Sequence, residues 1–160
     1  MGRKTIGDEA KKKHSMLFPR TMFKCILCGR CCEDTERGRR IVLTVSDALE
    51  ILDATGISLS EFAEENNSEA YPYVIRLVNG RCFFLQPDRK CRIYPVRPLV
   101  CRFYPFMVQR IGKTYVFQAD PSCHGLGKGT YLNEEYFEKL VEQAEERLNR
   151  FTGRFEAHRS

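Results

Sequence analysis

The sequence has 160 residues, of which 42% are hydrophobic and 29% charged, and its formal net charge is +5. This length and composition predict one folded domain with its own core. They exclude a transmembrane helix, because no run of about 18 apolar residues exists. The polar residues after Met1 exclude a secretory signal peptide, so we expect a chain of the reducing cytoplasm without membrane contact.

The positive charge is concentrated at the beginning of the chain. Seven basic and two acidic side chains lie within residues 1–24, so the remainder is neutral by formal count. We expect residues 1–20 to form a basic flexible N-terminal arm that is surrounded by solvent. Nucleic-acid binding through this arm is the alternative interpretation.

The ordered part is expected to begin at Met22-Phe23, immediately before a cluster of cysteines at residues 25–32. Residues 33–40 are charged and predict a loop. The apolar segment Ile41–Leu43 then predicts a short strand.

Two short helices are predicted next. Thr44 is a typical N-cap, and Asp47 three residues later resembles a capping box. This helix should end at Gly56, because glycine is favoured just after a helix. Ser58 predicts the start of a second short helix that runs through Ala63. The first helix is expected to turn four apolar residues inward: Ala48, Leu49, Ile51 and Leu52.

Two β-hairpins are predicted in the second half of the domain. The β-rich segments 73–78 and 81–85 flank Asn79-Gly80, which is a strong signal for a type I′ turn. The second hairpin should span residues 106–118 and turn at Gly112-Lys113. Residues 94–106 contain three prolines and predict irregular chain instead of a long helix.

The chain should end in a helix that packs on the domain. Residues 125–129 are rich in glycine and predict a loop, and Asn133 is a typical N-cap for a helix within 131–160. Its apolar residues recur at helical spacing and predict a stripe facing the core. The stripe consists of Tyr136, Phe137, Leu140, Val141, Ala144, Leu148 and Phe151.

The eight cysteines are the residues that most strongly indicate a chemical role, and we predict that all of them are metal ligands. They are Cys25, Cys28, Cys31, Cys32, Cys82, Cys91, Cys101 and Cys123. A reducing compartment disfavours the disulfide framework that an even number of cysteines would otherwise allow. The last four are spaced too widely for short metal-binding turns and must be gathered by the fold.

The spacing of the first cysteines allows two metals. Cys25-x-x-Cys28-Gly29 matches the tight turn that zinc ribbons use. Cys25-x-x-Cys28-x-x-Cys31 matches the three-thiol spacing of iron–sulfur proteins, and this third local thiol favours an iron–sulfur cluster. Cys31 and Cys32 are adjacent, so we expect their side chains to diverge and one of them to serve another metal or another edge of the core.

Basic residues surround these cysteines. Six lie directly beside one in the sequence, where they would lower thiol pKa values and balance thiolate charge: Lys24, Arg30, Arg81, Lys90, Arg92 and Arg102. Arg97 and Arg102 also lie between prolines and aromatic residues. We expect them either to bond backbone carbonyls and stack on rings, or to bind an anionic cofactor or ligand. His124 either replaces a thiol or faces solvent.

Several cysteine-containing segments together resemble a known family. They are Cys25–Cys32 in the form CxxCGxCC, Cys82, the run from Cys91 to Phe106 with Arg97-Pro98 and Cys101-Arg102 inside it, and Cys123-x-Gly125. This pattern, over residues 22–127, resembles the CxxCxxCC cysteine-cluster family, also called the YkgJ-like family. The resemblance implies a domain that chelates zinc or iron. Longer members resemble flagellin lysine N-methylases.

The predicted fold is therefore α+β: a small irregular cysteine-rich metal-binding domain at 21–130 with two β-hairpins, two short helices and a C-terminal amphipathic helix. The predicted function is the binding of zinc or iron through clustered thiolates, with an iron–sulfur cluster favoured. The alternatives are an iron–sulfur redox enzyme or methyltransferase-related protein, and a zinc-stabilised interaction or nucleic-acid-binding module. No phosphate-binding loop, dinucleotide fingerprint or hydrolase triad is present.

Overall fold

The computed structural model describes residues 14–32 and 40–159, with side chains in its last helix described as far as Leu148. Outside the described residues lie most of the predicted basic arm and the charged segment 33–39. The side chain of Phe151, which belongs to the predicted stripe, is also not among those described. In the described ranges, no helix is long and apolar enough to cross a membrane.

The described residues form short strands, four helices and two single 3₁₀ turns. The strands are β1 (Ser15–Leu17), β2 (Met22–Phe23), β3 (Val42–Leu43), β4 (Ala63–Glu65), β5 (Tyr73–Ile75), β6 (Leu77–Val78), β7 (Arg81–Cys82), β8 (Phe106–Ile111), β9 (Thr114–Ala119) and β10 (Leu126–Tyr131). The helices are α1 (Val45–Thr55), α2 (Leu59–Phe62), α3 (Leu99–Phe103) and α4 (Glu134–Arg159). The 3₁₀ turns are Arg30–Cys32 and Tyr94–Val96.

The strands pair into four small sheets. Strand β9 lies between β8, which is antiparallel to it, and β1, which is parallel to it. A second sheet has the order β3-β5-β4, and the pairs β6-β7 and β2-β10 complete the set. The mixture of helices and small sheets confirms the predicted α+β class. The parallel partner β1 lies within the segment that the sequence assigns to the arm.

Helix α1 begins and ends where its sequence predicts. The Thr44 hydroxyl accepts from the Asp47 N–H at 3.0 Å, and the Asp47 carboxylate accepts from the Thr44 N–H at 2.9 Å. Gly56 ends the helix in the left-handed conformation at φ 70°. The predicted inward position of Leu49 and Leu52 is wrong, because these side chains are 57% and 39% exposed. The buried stripe of this short helix is too narrow to include them.

Two segments predicted to lack strands form them. Ala63, expected at the end of a helix, begins β4, which pairs with β5 in the register Ala63↔Ile75. The predicted glycine-rich loop overlaps the first part of β10, which pairs with β2. Gly129 in β10 has φ +81°, and a Cβ there would lie 3.0 Å from the Lys24 Cβ. Gly129 therefore permits the close pairing of β10 with β2.

Both predicted hairpins are confirmed, with different strand lengths in the first. Asn79 and Gly80 have φ values of 52° and 76° in the turn between β6 and β7. The return strand ends at Cys82 instead of residue 85. The second hairpin joins β8 and β9 through Gly112, and its register pairs Phe106 with Ala119.

The apolar side chains form two cores. The cysteine-side core consists of Ile41, Leu43, Ile51, Phe62, Ala63, Ile75, Cys82, Phe84 and Ile93. The aromatic core consists of Leu99, Phe103, Phe106, Phe117, Phe137, Leu140 and Val141. Asp47 is fully buried where the two meet. It accepts from Arg147 Nη1 of α4 at 2.7 Å and from the Leu99 N–H of α3 at 3.1 Å.

Candidate metal centre

The fold brings most of the cysteines to a single cavity. Seven of the eight, all except Cys82, line a cavity of about 140 Å³. Cys82 is 5% exposed and belongs to the cysteine-side core. None of the eight cysteines forms a disulfide. The sequence pattern therefore corresponds to a real convergence of segments that lie up to about a hundred residues apart.

The loop that carries the first cysteines is shaped by residues with left-handed backbone. Leu27 and Gly29 have φ values of 55° and 75°, and the Cys32 N–H then donates to the Gly29 carbonyl at 3.0 Å. A Cβ at Gly29 would lie 2.7 Å from the Arg89 carbonyl oxygen. In return, Arg89 Nε donates to the Cys28 carbonyl at 3.0 Å. Glycine is thus required because the cysteine loop is packed against the turn that precedes Cys91.

A second close approach brings Cys123 to this loop. The Lys24 N–H donates to the Gly125 carbonyl at 3.1 Å, and a Cβ on Gly125 would lie 2.4 Å from the Lys24 carbonyl oxygen. This contact is next to the β2–β10 pair and places Cys123 near Cys25 and Cys28. The predicted family motif Cys123-x-Gly125 therefore has a steric reason for its glycine.

The remaining cavity cysteines come from a turn and a short helix. Cys91 forms an isolated antiparallel bridge with Leu85, and the Arg92 N–H donates to the Phe84 carbonyl at 2.9 Å. Cys101 lies in the middle of α3. The first N–H of that helix, on Leu99, is held by the buried Asp47 carboxylate.

Cys31 and Cys32 lie together, although their adjacency in the sequence led us to expect divergent side chains. Their sulfurs are 4.0 Å apart and share a hydrogen bond. That hydrogen bond lowers the pKa of Cys32. The hydrogen bond with Cys82, burial, and the nearby thiols of Cys82 and Cys101 raise the pKa of Cys32, and the net shift is upward. A thiol in this state keeps its proton until a positive charge arrives.

Cys91 and Cys123 share a local arrangement that favours the thiolate. The sulfur of Cys91 receives a backbone hydrogen bond from Ile93, and that of Cys123 receives backbone hydrogen bonds from Gly125 and Leu126. Burial nevertheless raises the pKa of both thiols. The backbone donors are thus in place for sulfur anions, and a bound cation would supply the missing stabilisation.

Other thiols also act on these two cysteines. Cys31 raises the pKa of Cys91, and Cys28 and Cys25 raise the pKa of Cys123. The cysteines whose thiols shift one another's pKa values therefore fall into two groups. One consists of Cys25, Cys28 and Cys123. The other consists of Cys31, Cys32, Cys82, Cys91 and Cys101.

Four arginines contribute to the cavity wall: Arg30, Arg89, Arg97 and Arg102. The Arg97 guanidinium lies 4.0 Å from the centre of the Tyr94 ring, and Arg102 Nε donates to the Arg97 carbonyl at 2.8 Å. Both contacts have the form that the sequence predicts for arginines among prolines and aromatic residues. Binding of an anionic group by this pair stays a prediction.

His124 also lines the cavity, but another side chain is bonded to its ring. Arg30 Nη1 donates to His124 Nε2 at 2.6 Å. Nε2 must release this donor before it can bind a metal, so the thiols are the better ligands.

The thiols are not arranged around a single point. Among the described residues, no group of three or more His, Cys, Asp or Glu side chains is placed to hold one metal ion. The sulfurs instead line the cavity from several sides, together with the arginines.

The sequence does not identify Arg89 or the tyrosines Tyr94, Tyr104 and Tyr136 as parts of this wall. Arg89 lies two residues from Cys91 and could have been found from its place in the turn. Tyr136 belongs to the helical stripe that predicts core packing. Its second position beside the cysteines depends on how α4 crosses α3, which no local signal encodes.

The comparisons with known proteins agree with this site. The family model "CxxCxxCC: Putative zinc- or iron-chelating domain" matches residues 24–124, a range that contains the cysteine loop and Cys123. The uncharacterized protein MJ0661 of Methanocaldococcus jannaschii is 34% identical over 143 residues, covering 84% of this chain and 75% of that protein. No solved structure matches.

Proposed function

The chain belongs to the CxxCxxCC family of zinc- or iron-chelating domains, and from this membership we propose that its thiolates hold an iron–sulfur cluster. The observation that carries the proposal is the presence of seven thiols around one cavity of about 140 Å³. Thiolates of cysteine are the ligands that such clusters use. When bound, a cluster of this kind supplies one-electron transfer.

A cluster and a single ion require different distances between the ligand sulfurs. Four thiolates on one zinc ion lie about 2.3 Å from it and hence about 3.8 Å from one another. In a cluster each thiolate binds its own iron, so the sulfurs stand farther apart around inorganic sulfide. The seven thiols reach the cavity from the cysteine loop, the turn at Cys91, helix α3 and the segment at Cys123, which suits the wider arrangement.

The charges of the wall support the same proposal. A thiolate-bound cluster carries net negative charge, which is costly to bury without compensation. Arg30, Arg89, Arg97 and Arg102 provide positive charge around the cavity. We propose that Arg97 and Arg102 stabilise the bound cluster by this charge. Their guanidinium groups are held by Tyr94 and by a backbone carbonyl.

We assign the four ligands of the cluster to cysteines among the seven that line the cavity, Cys28 and Cys91 included, and give Cys82 a different role. Cys82 is buried behind Cys32 and hydrogen-bonds to it without lining the cavity. Its thiol would then orient the sulfur of Cys32. This narrows the sequence prediction, which names all eight cysteines as ligands.

Zinc is the second candidate because of one distance. The sulfurs of Cys31 and Cys32 are 4.0 Å apart, close to the spacing of about 3.8 Å in a tetrahedral thiolate site. Cys82 adjoins Cys32 and would be a third ligand of such a site. The two candidates therefore assign Cys82 opposite roles.

The test is to purify the protein without oxygen and to measure iron, acid-labile sulfide and zinc together with absorbance. A cluster gives a broad band near roughly 400 nm from charge transfer between sulfur and iron. We expect Cys28→Ser and Cys91→Ser to lose iron and sulfide, and the matched thiol deletion Cys82→Ala to keep both. Stoichiometric zinc without iron or sulfide in the wild-type protein, lost in Cys82→Ala, would support the zinc site and contradict the cluster.

A further inference from the structure

A second and larger cavity lies on the other side of helix α3. Leu99 and Phe103 of this helix line it, whereas Cys101 and Arg102 line the cysteine cavity. Its volume is about 650 Å³. Binding sites for small molecules have volumes of about 300–1,000 Å³. The cavity is therefore of the size that holds one organic ligand.

The walls of this cavity are mainly apolar. Strands β8 and β9 contribute one side, and α3 and α4 contribute the others. The principal apolar residues are Leu99, Phe103, Phe106, Val108, Val141 and Leu148. Such a surface favours an apolar or aromatic body, because its contact removes apolar area from water.

The charged groups in the lining are carboxylates. Asp120 and Glu145 contribute to the wall, and none of its described residues is Lys, Arg or His. Ionised carboxylates only accept hydrogen bonds, so they select a ligand that donates. The lining therefore contains acidic groups and no basic residue that would bind an acidic ligand.

Tyrosine and serine hydroxyl groups hold the two carboxylates. The Asp120 Oδ1 atom accepts from the Ser122 N–H at 3.0 Å and from the Ser122 hydroxyl at 2.7 Å. The Tyr115 hydroxyl donates to Glu145 Oε1 at 3.2 Å, and His14 Nε2 lies 2.8 Å from the same oxygen. Because these oxygens are positioned before a ligand arrives, less ordering accompanies binding.

We propose that this cavity binds a small organic cation with an apolar or aromatic body and one protonated amine. The apolar walls enclose the body, and Asp120 or Glu145 accepts from the ammonium group. Charge-assisted hydrogen bonds of this kind are stronger than neutral ones. Asp120 and Glu145 both lie outside the lining of the cysteine cavity.

The cavity also adjoins the cysteine site. Tyr104 lines both cavities, and Val100 of the apolar cavity precedes Cys101 in α3. A ligand in the apolar cavity would therefore lie one helix away from the thiols. The proposal itself depends on the apolar cavity alone and holds whichever metal the thiols bind.

The probe for the test is tryptamine, which combines an aromatic body with a protonated amine. Tryptophol has the same ring with a neutral hydroxyl, and indole-3-propionate has it with a carboxylate. Each is equilibrated by dialysis against the full chain as purified without oxygen. Indole fluorescence in the protein-free chamber then gives the free concentration of the probe.

We expect saturable binding of tryptamine that is at least about tenfold tighter than that of indole-3-propionate, because the loss of a charged hydrogen bond costs on the order of a factor of ten. Asp120→Asn or Glu145→Gln should reduce the advantage of tryptamine over tryptophol at least threefold. Both changes keep the shape of the side chain. The control Glu142→Gln alters an exposed carboxylate of α4 outside the cavity and should change nothing.

Circular dichroism and metal content of each variant establish that it is folded before its affinity is compared. The proposal is overturned if no indole binds saturably to the wild-type chain, or if tryptamine is not the tightest of the three. It is also overturned if both carboxylate variants leave the advantage of tryptamine unchanged.

Discussion

The two cores of this protein are built from different elements. The aromatic core lies between β8 and β9, which have six residues each, and α4, which has 26. The cysteine-side core is surrounded by strands of two or three residues, by α1 and α2, and by turns. The long strands β8 and β9 satisfy each other's backbone hydrogen bonds, and a long helix satisfies its own. Such elements also bury a continuous apolar face. Short strands are only marginally stable alone.

Because of this difference, we expect a bound metal to contribute most to the stability of the cysteine-side core. Cys82 belongs to the cysteine-side core, and Cys32, Cys91 and Cys101 pack against it. A metal bound to Cys32, Cys91 and Cys101 would join two turns and helix α3. Apolar packing can therefore hold one half of the chain, while metal ligation would supply the cross-links in the other half.

Metal removal should give the largest effect, and it should be confined to one core. Without metal we expect amide hydrogens around Phe84 and Ile93 to exchange about 10⁴-fold faster, which corresponds to about 5.5 kcal/mol, since local opening no longer breaks metal–sulfur bonds. Amides in β8 and β9 should keep most of their protection. Hydrogen exchange by mass spectrometry on metal-loaded and metal-free protein measures both regions at once. An equal loss of amide protection in both cores would contradict a metal effect that is confined to the cysteine-side core.

Phe137→Ala should have the next largest effect, on the other core. The Phe137 ring is fully buried and packs against Phe18, Phe106 and Phe117, with ring centres 4.7 to 5.1 Å apart. Its removal should lower the free energy of unfolding by about 3–5 kcal/mol and the melting temperature by roughly 10 °C.

The same variant should keep its metal-to-protein ratio, because the change does not touch the thiols. The control is Met107→Ala in β8, whose side chain is 58% exposed and should matter little. Thermal unfolding and metal analysis give the two readouts. Loss of metal in Phe137→Ala under conditions where the protein is folded would show that the cores depend on each other more than we expect.

Asp47→Asn tests the junction of the two cores. The substitution removes the charge that Arg147 faces in Asp47, leaves Glu50 at 2.8 Å as an acidic partner of the buried guanidinium, and weakens the cap of α1. Breaking a buried ion pair costs about 3 kcal/mol or more, and we expect about 3 kcal/mol here. Glu50→Gln is the matched control and should cost less, since the Glu50 side chain is 43% exposed. Chemical denaturation compares the two, and equal losses would remove the special role of Asp47.

The smallest expected effect concerns His14, which ties the chain before β1 to α4. Its ring contacts Glu138 and Glu145. Burial lowers the pKa of His14, but the hydrogen bonds and charges of the two glutamates raise it, and the net shift is upward. The stability from this contact is therefore full below about pH 6.5, the unfolded value, and is lost as the pH rises through the folded pKa.

We expect wild type to exceed His14→Gln in stability by on the order of 1 kcal/mol at pH 5.5, and by less at pH 8.5. Subtracting the free energy of unfolding of the variant from that of the wild type cancels the contribution of thiols and tyrosines, which titrate in both chains. A difference that is constant, or that grows with pH, would contradict the assigned direction.

Local signals in the sequence predict the parts of the fold that depend on neighbouring residues. The cap formed by Thr44 and Asp47, the turn at Asn79-Gly80 and the start of α4 after Asn133 all follow from side-chain chemistry within four residues. The strand β10 could not be predicted in this way. Its glycines are typical of a loop, and only the pairing with β2 gives them another role.

The candidate site shows the same limit. The sequence identifies the cysteines, because thiols at CxxCxxCC spacing have few other uses. It predicts that the later cysteines are gathered around the first ones, but not how Cys123 is brought there, since this depends on the contact between Gly125 and Lys24. Nor does it separate Cys82 from the others, because burial behind Cys32 is a consequence of tertiary packing.

The most direct test of the central proposal is the mass of the intact protein under native conditions after purification without oxygen. We predict a mass increase over the metal-free chain that corresponds to iron and inorganic sulfide together, and its disappearance in Cys91→Ser. A mass increase that corresponds to zinc alone, or no increase in a folded protein, would contradict the proposal that the cysteine cavity holds an iron–sulfur cluster.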